Sequence, residues 1–213
     1  HEFHFCKSVT TPIVLCHHKW FLTVPSNLIL RLRSIGVSQF EVSDFTKLLP
    51  KATTIPSVNQ HELNVLDQNN DVLRPGTNGW TCMPGNARPM PEAGWQDPHQ
   101  AMPVCADAES MKWMQAYLAE RIPELAHDGF MWMLHGDVGE DNTTPMVMHK
   151  ADSTEGHWIE SGPHLMLMPK DPQTIAGHTT DFRSGAPYLM FAGSPYAHLM
   201  IPVEGYYRYT QSP

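Results

Sequence analysis

Two histidines set in the same triplet are the residues of this chain best placed to do chemistry. They are His164 in His164-Leu165-Met166 and His198 in His198-Leu199-Met200. Each triplet lies in a short apolar run bounded by Gly or Pro: HLMLMP from His164 and YAHLMIP from Tyr196. A third run, PYLMF from Pro187, stands between them. Runs of this length without a helical period read as strands. Side chains alternate along a strand, so His164 shares a face with Met166, and His198 with Met200 and Tyr196. On neighbouring strands about 4.8 Å apart, the two imidazoles would come within about 8 Å of each other. If PYLMF intervenes, that gap roughly doubles. A neutral imidazole is a metal ligand and a general base. The competing role for each is a hydrogen-bonded histidine at the edge of a core.

A supply of carboxylates is close in sequence. Phe130–Leu134 is apolar on both faces and reads as a central strand. It runs into His135-Gly136-Asp137, then Glu140, Asp141 and Asn142. An acidic loop directly after a buried strand is a place where function is often carried. The ligand set this suggests is His164, His198, Asp137 and Asp141, with His164, His198 and Asp137 also acting on substrate. Two imidazoles and one carboxylate leave positions open for water. The cofactor would be one divalent metal. Zinc would make the chain a hydrolase; iron or copper would make it an oxidoreductase. The residues do not separate these. EF-hand spacing is absent. Met166 and Met200 are either soft ligands or core residues, and the 13 methionines of the chain invite a copper reading while falling mostly at core positions.

Two other functions compete. A serine esterase would need Ser184 or Ser194, with His198 or His178 as base and Asp181 or Asp137 as acid. No G-x-S-x-G elbow supports it. A non-catalytic ligand- or protein-binding domain would use Trp80, Trp95, Trp132 and Trp158 to line an apolar pocket. A separation of His164 and His198 beyond about 10 Å, more than two strand spacings, favours this class.

The elements that must position these residues follow from pattern. Asp107 caps a helix with Glu109 in its first turn. Met111, Met114, Leu118, Ile122 and Leu125 recur at helical spacing, Trp113 and Tyr117 widen the stripe, and Pro123 ends or bends it. Leu63–Leu66 and the run from Val72 read as a hairpin turned by Asn69-Asn70-Asp71. Met146 to His149 reads as a short strand, and another lies around Trp158. Between Met83 and Pro103 lie Pro84, Pro89, Pro91 and Pro98, with Gly85 and Gly94, and no periodic pattern. Cys82 and Cys105 stand at the two boundaries of this stretch. A disulfide between them would close the loop, contribute about 3–4 kcal/mol and imply an oxidising compartment. The expected fold is α+β: a single antiparallel or mixed sheet, with strands at Leu63–Leu66, Phe130–Leu134, His164–Met168, Tyr188–Phe191 and Tyr196–Ile201, and one main helix packed on a face.

Composition bounds the partners. A net charge of −8 over 213 residues argues against nucleic acid. No run of about 18 apolar residues exists to span a membrane. The partner is then a small-molecule substrate or ligand. The charge is uneven: residues 1–60 hold six basic and three acidic side chains, and 61–213 hold eight and nineteen. All methionines fall in the second part. Residues 1–60 therefore read as an atypical N-terminal segment and 61–213 as the main domain. The opening His-Glu-Phe is what a histidine tag and a cloning junction would leave, and the segment reads as vector-derived or translated upstream sequence, or else as a genuine small N-terminal lobe.

Several stretches carry a resemblance. NDVLRPGTNGWTCMPG, MPVCADAESMKWMQAY, GFMWMLHGDVGEDNTTP, SGPHLMLMPKD and GAPYLMFAGSPYAHLMIP resemble a family of small exported bacterial proteins over roughly Asp71 to Val203. The resemblance implies a periplasmic or secreted protein in which Cys82, Cys105, His164 and His198 recur. His135 and His149 match positions where other residues often stand, and Ser194 a position often held by Thr. It brings no activity with it.

Overall fold

The computed structural model describes residues 62–209. The expectations for the N-terminal segment and for its boundary near residue 60 fall outside the described residues.

Asp107 anchors the main helix to the sheet. One carboxylate oxygen accepts from the Ser110 amide at 2.8 Å, the other from the Phe130 amide at 2.8 Å. A helix cap thus also fixes the start of a strand, β5 (Gly129–Met133). Close approach is possible because residue 129 is glycine. A Cβ there would stand 2.6 Å from the Ser110 hydroxyl and 2.7 Å from its amide nitrogen.

The helix, α2, runs Ala108–Leu118 and is shorter than its apolar stripe. Pro123 does not end it. Glu120 adopts a left-handed φ of 51°. The Arg121 amide then bonds Ala116 O at 2.8 Å and the Glu120 amide bonds Tyr117 O at 3.0 Å, the paired bonds of a Schellman stop. The expected burial of Met111, Met114, Leu118 and Ile122 is corrected accordingly. Leu118 and Ile122 are 50% and 73% exposed, because the chain has left the helix before Ile122 can turn inward. Met111 and Met114 are half-buried, and the inward face is Trp113, Ala116 and Tyr117.

The sheet has eight strands in the order β2-β1-β3-β4-β5-β8-β10-β9. The flanking strands are β1 (Asn64–Leu66), β2 (Val72–Arg74), β3 (Thr81–Pro84) and β4 (Pro103–Ala106). Beyond β5 come β8 (His164–Met168), β10 (His198–Pro202) and β9 (Tyr188–Met190). All neighbours are antiparallel except β1 and β3. The α+β architecture with one main helix is therefore the fold, and β5 is central. Two strands flank the proline-rich loop where only loop ends were expected. Cys82 and Cys105 stand opposite each other on them and are joined at a Cα separation of 4.0 Å. Pro84 and Pro103 form the last pair of that ladder, where a missing amide is tolerated. A second, two-stranded sheet pairs β6 (Glu140–Asp141) with β7 (Trp158–Ile159). No strand forms at Met146–His149. Met146 has a φ of 66°, and His149 caps a single 3-10 turn, Lys150–Asp152. A short four-residue helix, α1 (Pro98–Ala101), lies within the proline-rich loop.

The two faces of the sheet differ in chemistry. Alternation in β8 and β10 sends Leu165, Leu167, Leu199 and Ile201 one way, to join Leu189, Ile175, Trp132 and the disulfide. It sends His164, Met166, Met168, His198 and Met200 the other way, beneath α2. Cross-strand pairing puts Met131 and Met133 of β5, and Tyr188 and Met190 of β9, on that same face. No helix among the described residues is long and apolar enough to cross a membrane.

Candidate functional site

The methionine face does not meet α2 in solid packing. Between them lies a cavity of about 420 Å³. Eleven of the 13 methionines line it, all but Met90 and Met146. Trp113 and Tyr117 of α2, Phe191 and His198 complete the apolar wall. Met side chains are unbranched and polarizable, so such a wall can adapt to what enters. The rings are locked against one another. Trp113 stacks on Tyr117 at 5.2 Å, Tyr117 on Phe191 at 5.7 Å, and Tyr196 meets both Trp113 and Tyr117 edge-on.

One end of the cavity is polar. Glu140 receives a hydrogen bond from the Tyr117 hydroxyl, and that hydroxyl accepts from the Met146 amide at 2.9 Å. Burial in the wall pushes the Glu140 carboxyl up to about 7; the Tyr117 bond and Arg88 pull it back, while Asp137 and Asp141 add to the rise. Burial, with the adjacent Glu140, pushes the Tyr117 phenol well up. The Arg88 guanidinium is fixed by Met148 O and Gly139 O. A carboxyl near neutrality in an apolar cleft is a recognised mark of a functional site. Gly139 lets the loop at this end pack beneath the Trp158 ring. It has a φ of +100°, and a Cβ there would stand 2.4 Å from the Trp158 ring.

The two histidines lie on neighbouring strands and on one face, and β9 does not come between them. Their register sets them apart. His164 pairs with Pro202, and Leu199 with Leu167, so His198 stands opposite Met168. That is four positions along the ladder, roughly 13 Å at the backbone. Each ring has its own role. The His164 Nδ1 donates to Gly162 O at 2.7 Å, and its Nε2 is buried with no hydrogen-bond partner. The His198 Nδ1 donates to Tyr196 O at 3.0 Å. Burial holds both imidazoles below their ordinary range, His198 at about 4. Both are neutral at pH 7, with the lone pair on Nε2.

The carboxylates serve the loops. Asp137 Oδ1 accepts from the Gly139 amide at 2.9 Å and the Ser161 amide at 3.3 Å; it also acts electrostatically on His164. Asp141 is buried, which pushes it up. Bonds from Ser153, Thr143 and Thr144 outweigh that and hold it well below the usual carboxylate range. Its oxygens are occupied inside the protein. Among the described residues, no group of three or more His, Cys, Asp and Glu side chains is gathered to hold a metal ion.

The serines named from sequence are turn residues. The Ser184 hydroxyl accepts from the Ala186 amide, and the Ser194 hydroxyl from the Tyr196 amide. The aromatic set is also different from the one expected. Trp80 and Trp132 pack with the disulfide on the opposite face, and Trp158 covers Gly139. None of the four expected tryptophans lines the cavity; Trp113 does. The methionine alternation in HLMLM and HLM was the available signal. It marks one face as thioether-rich, but it does not show that a cavity separates that face from α2.

Searches of family models, of curated proteins and of solved structures each return no match to this chain.

Proposed function

We propose that this chain is a non-catalytic, exported binding domain that takes a small apolar molecule with one polar end group. The observation that carries this reading is the cavity between α2 and the methionine face, walled by methionines and rings and with Glu140 and Tyr117 in its lining. Its size suits a small ligand. Its existence is costly. At ~24 cal/mol per Å³, a vacant apolar space of about 420 Å³ would forgo about 10 kcal/mol of packing, comparable to the whole stability of a domain. That is an upper bound, since the mouth admits water. Thirteen flexible methionines could close much of such a gap, and eleven of them border it open. The Cys82–Cys105 bridge supports an oxidising compartment.

The polar end selects for a ligand that can share a proton with Glu140. Below pH 7 the carboxyl is protonated and offers a donor; above it, an acceptor. Titration with N-phenyl-1-naphthylamine, whose fluorescence rises in apolar surroundings, tests the reading. Saturable binding is expected at one site per chain. Met114→Trp, which drives an indole into the cavity from α2, should abolish it in a protein that remains folded. Undiminished binding in that variant would contradict the proposal.

A further inference from the structure

We propose that the row Met168–His198–Met190 is a binding site for a monovalent soft metal ion, Cu(I), in the wall of the cavity. This goes beyond the apolar-ligand reading and stands whether or not an organic molecule enters. The row comes from register. His198 pairs with Met190 on β9. On its other side the β10–β8 ladder, through Leu199 and Leu167, puts it opposite Met168. Directly opposed residues on antiparallel strands have Cα atoms about 4.5–5.5 Å apart and point to one side. All three side chains line the cavity, and all three are buried.

The imidazole is oriented for ligation. Its Nδ1–H is spent on Tyr196 O, which leaves the Nε2 lone pair for an ion. A backbone carbonyl holding the far nitrogen is the usual support of a metal-bound histidine. Trp113 meets the ring edge-on at 5.1 Å and Phe191 at 5.5 Å, which brace it in this orientation.

The donor set decides the metal. Two thioethers and one imidazole form a soft set, which selects Cu(I) over zinc, magnesium or calcium. Carboxylate donors are missing from the row. Cys82 and Cys105 are closed in a disulfide on the opposite face. Cu(II) would want tetragonal nitrogen and oxygen ligands, and the surrounding methionines and rings supply none. The methionines have three rotatable bonds each, so both sulfurs can close on an ion at Nε2 without movement of the strands.

The test is a competitive titration of Cu(I) against bicinchoninate, without oxygen and with ascorbate present. The full chain is used with Cys6→Ser and Cys16→Ser, so that no thiol at those positions competes. One equivalent should bind. Met168→Leu and Met190→Leu conserve volume and should each weaken it at least tenfold; His198→Ala should weaken it at least a hundredfold. Met131→Leu, on the same face but two strands from His198, should change it less than twofold. The proposal is overturned if no equivalent is taken from the competitor, or if the two leucine variants bind as the parent does. These leucine variants decide the matter even if His198→Ala does not fold.

Discussion

Replacing Glu140 by Gln should make the protein more stable above neutral pH and leave it unchanged in mild acid. In the fold the carboxyl ionises at about 7 rather than 4.5, chiefly because burial disfavours its charge. Between those values the native state keeps a proton that the unfolded chain has released. The stabilisation is fully present below pH 4.5 and is lost as pH rises through 7. A displacement of that size corresponds to about 3 kcal/mol. Water at the cavity mouth screens part of it, so about 1–3 kcal/mol is expected. Glutamine keeps a carbonyl to accept from Tyr117 but cannot ionise. Urea unfolding of both proteins at pH 4 and pH 8 isolates the effect, because titrations common to both cancel in the difference. The variant should match the parent at pH 4 and exceed it by about 1–3 kcal/mol at pH 8. A difference that stays within roughly 0.5 kcal/mol across that range would refute the assignment of a buried, near-neutral carboxyl.

Other outcomes follow from the same structure. His198 is held at about 4 against 6.5, so stability is full above pH 6.5 and declines as pH falls towards 4; His198→Gln should flatten that decline in acid unfolding curves. Cys82→Ala with Cys105→Ala opens a loop 23 residues apart in sequence and should cost about 3 kcal/mol in denaturant titration. Gly139→Ala places a methyl against the Trp158 ring at a φ of +100°; a loss of about 2–4 kcal/mol and weaker binding of the naphthylamine should follow. Ile122→Lys, at a position 73% exposed, should leave the midpoint within roughly 0.5 kcal/mol of the parent.

Local period was a sound guide to the sheet. HLMLM was legible as a strand with its histidine and methionines on one side, and β8 spans those five residues. The cysteine pair was legible because a costly loop needed its ends held. The extent of the helix was not legible. Its stop depends on a non-glycine residue, Glu120, in a left-handed conformation, and no residue type announces that. The same gap hid the site. Met111 and Met114 were read as ordinary core, yet they lie within the helix and border the cavity. The repeated triplet correctly suggested neighbouring strands. Whether its two histidines stand level or four positions apart depends on the hairpin register, and repetition of a triplet does not encode it. Asp141 looked like a ligand by composition; hydrogen bonds from Ser153, Thr143 and Thr144 show its place in the loop.

The methionine methyl groups report most directly on whether the cavity is the binding site. With 13C-methyl methionine incorporated, each of the 13 methionines gives its own signal, assigned by Met→Leu substitution. Saturation with N-phenyl-1-naphthylamine should shift signals from methionines that line the cavity and leave Met90 and Met146 in place. Binding that moves Met90 and Met146 as much as the others, or that saturates with the cavity methyls unmoved, would contradict the account.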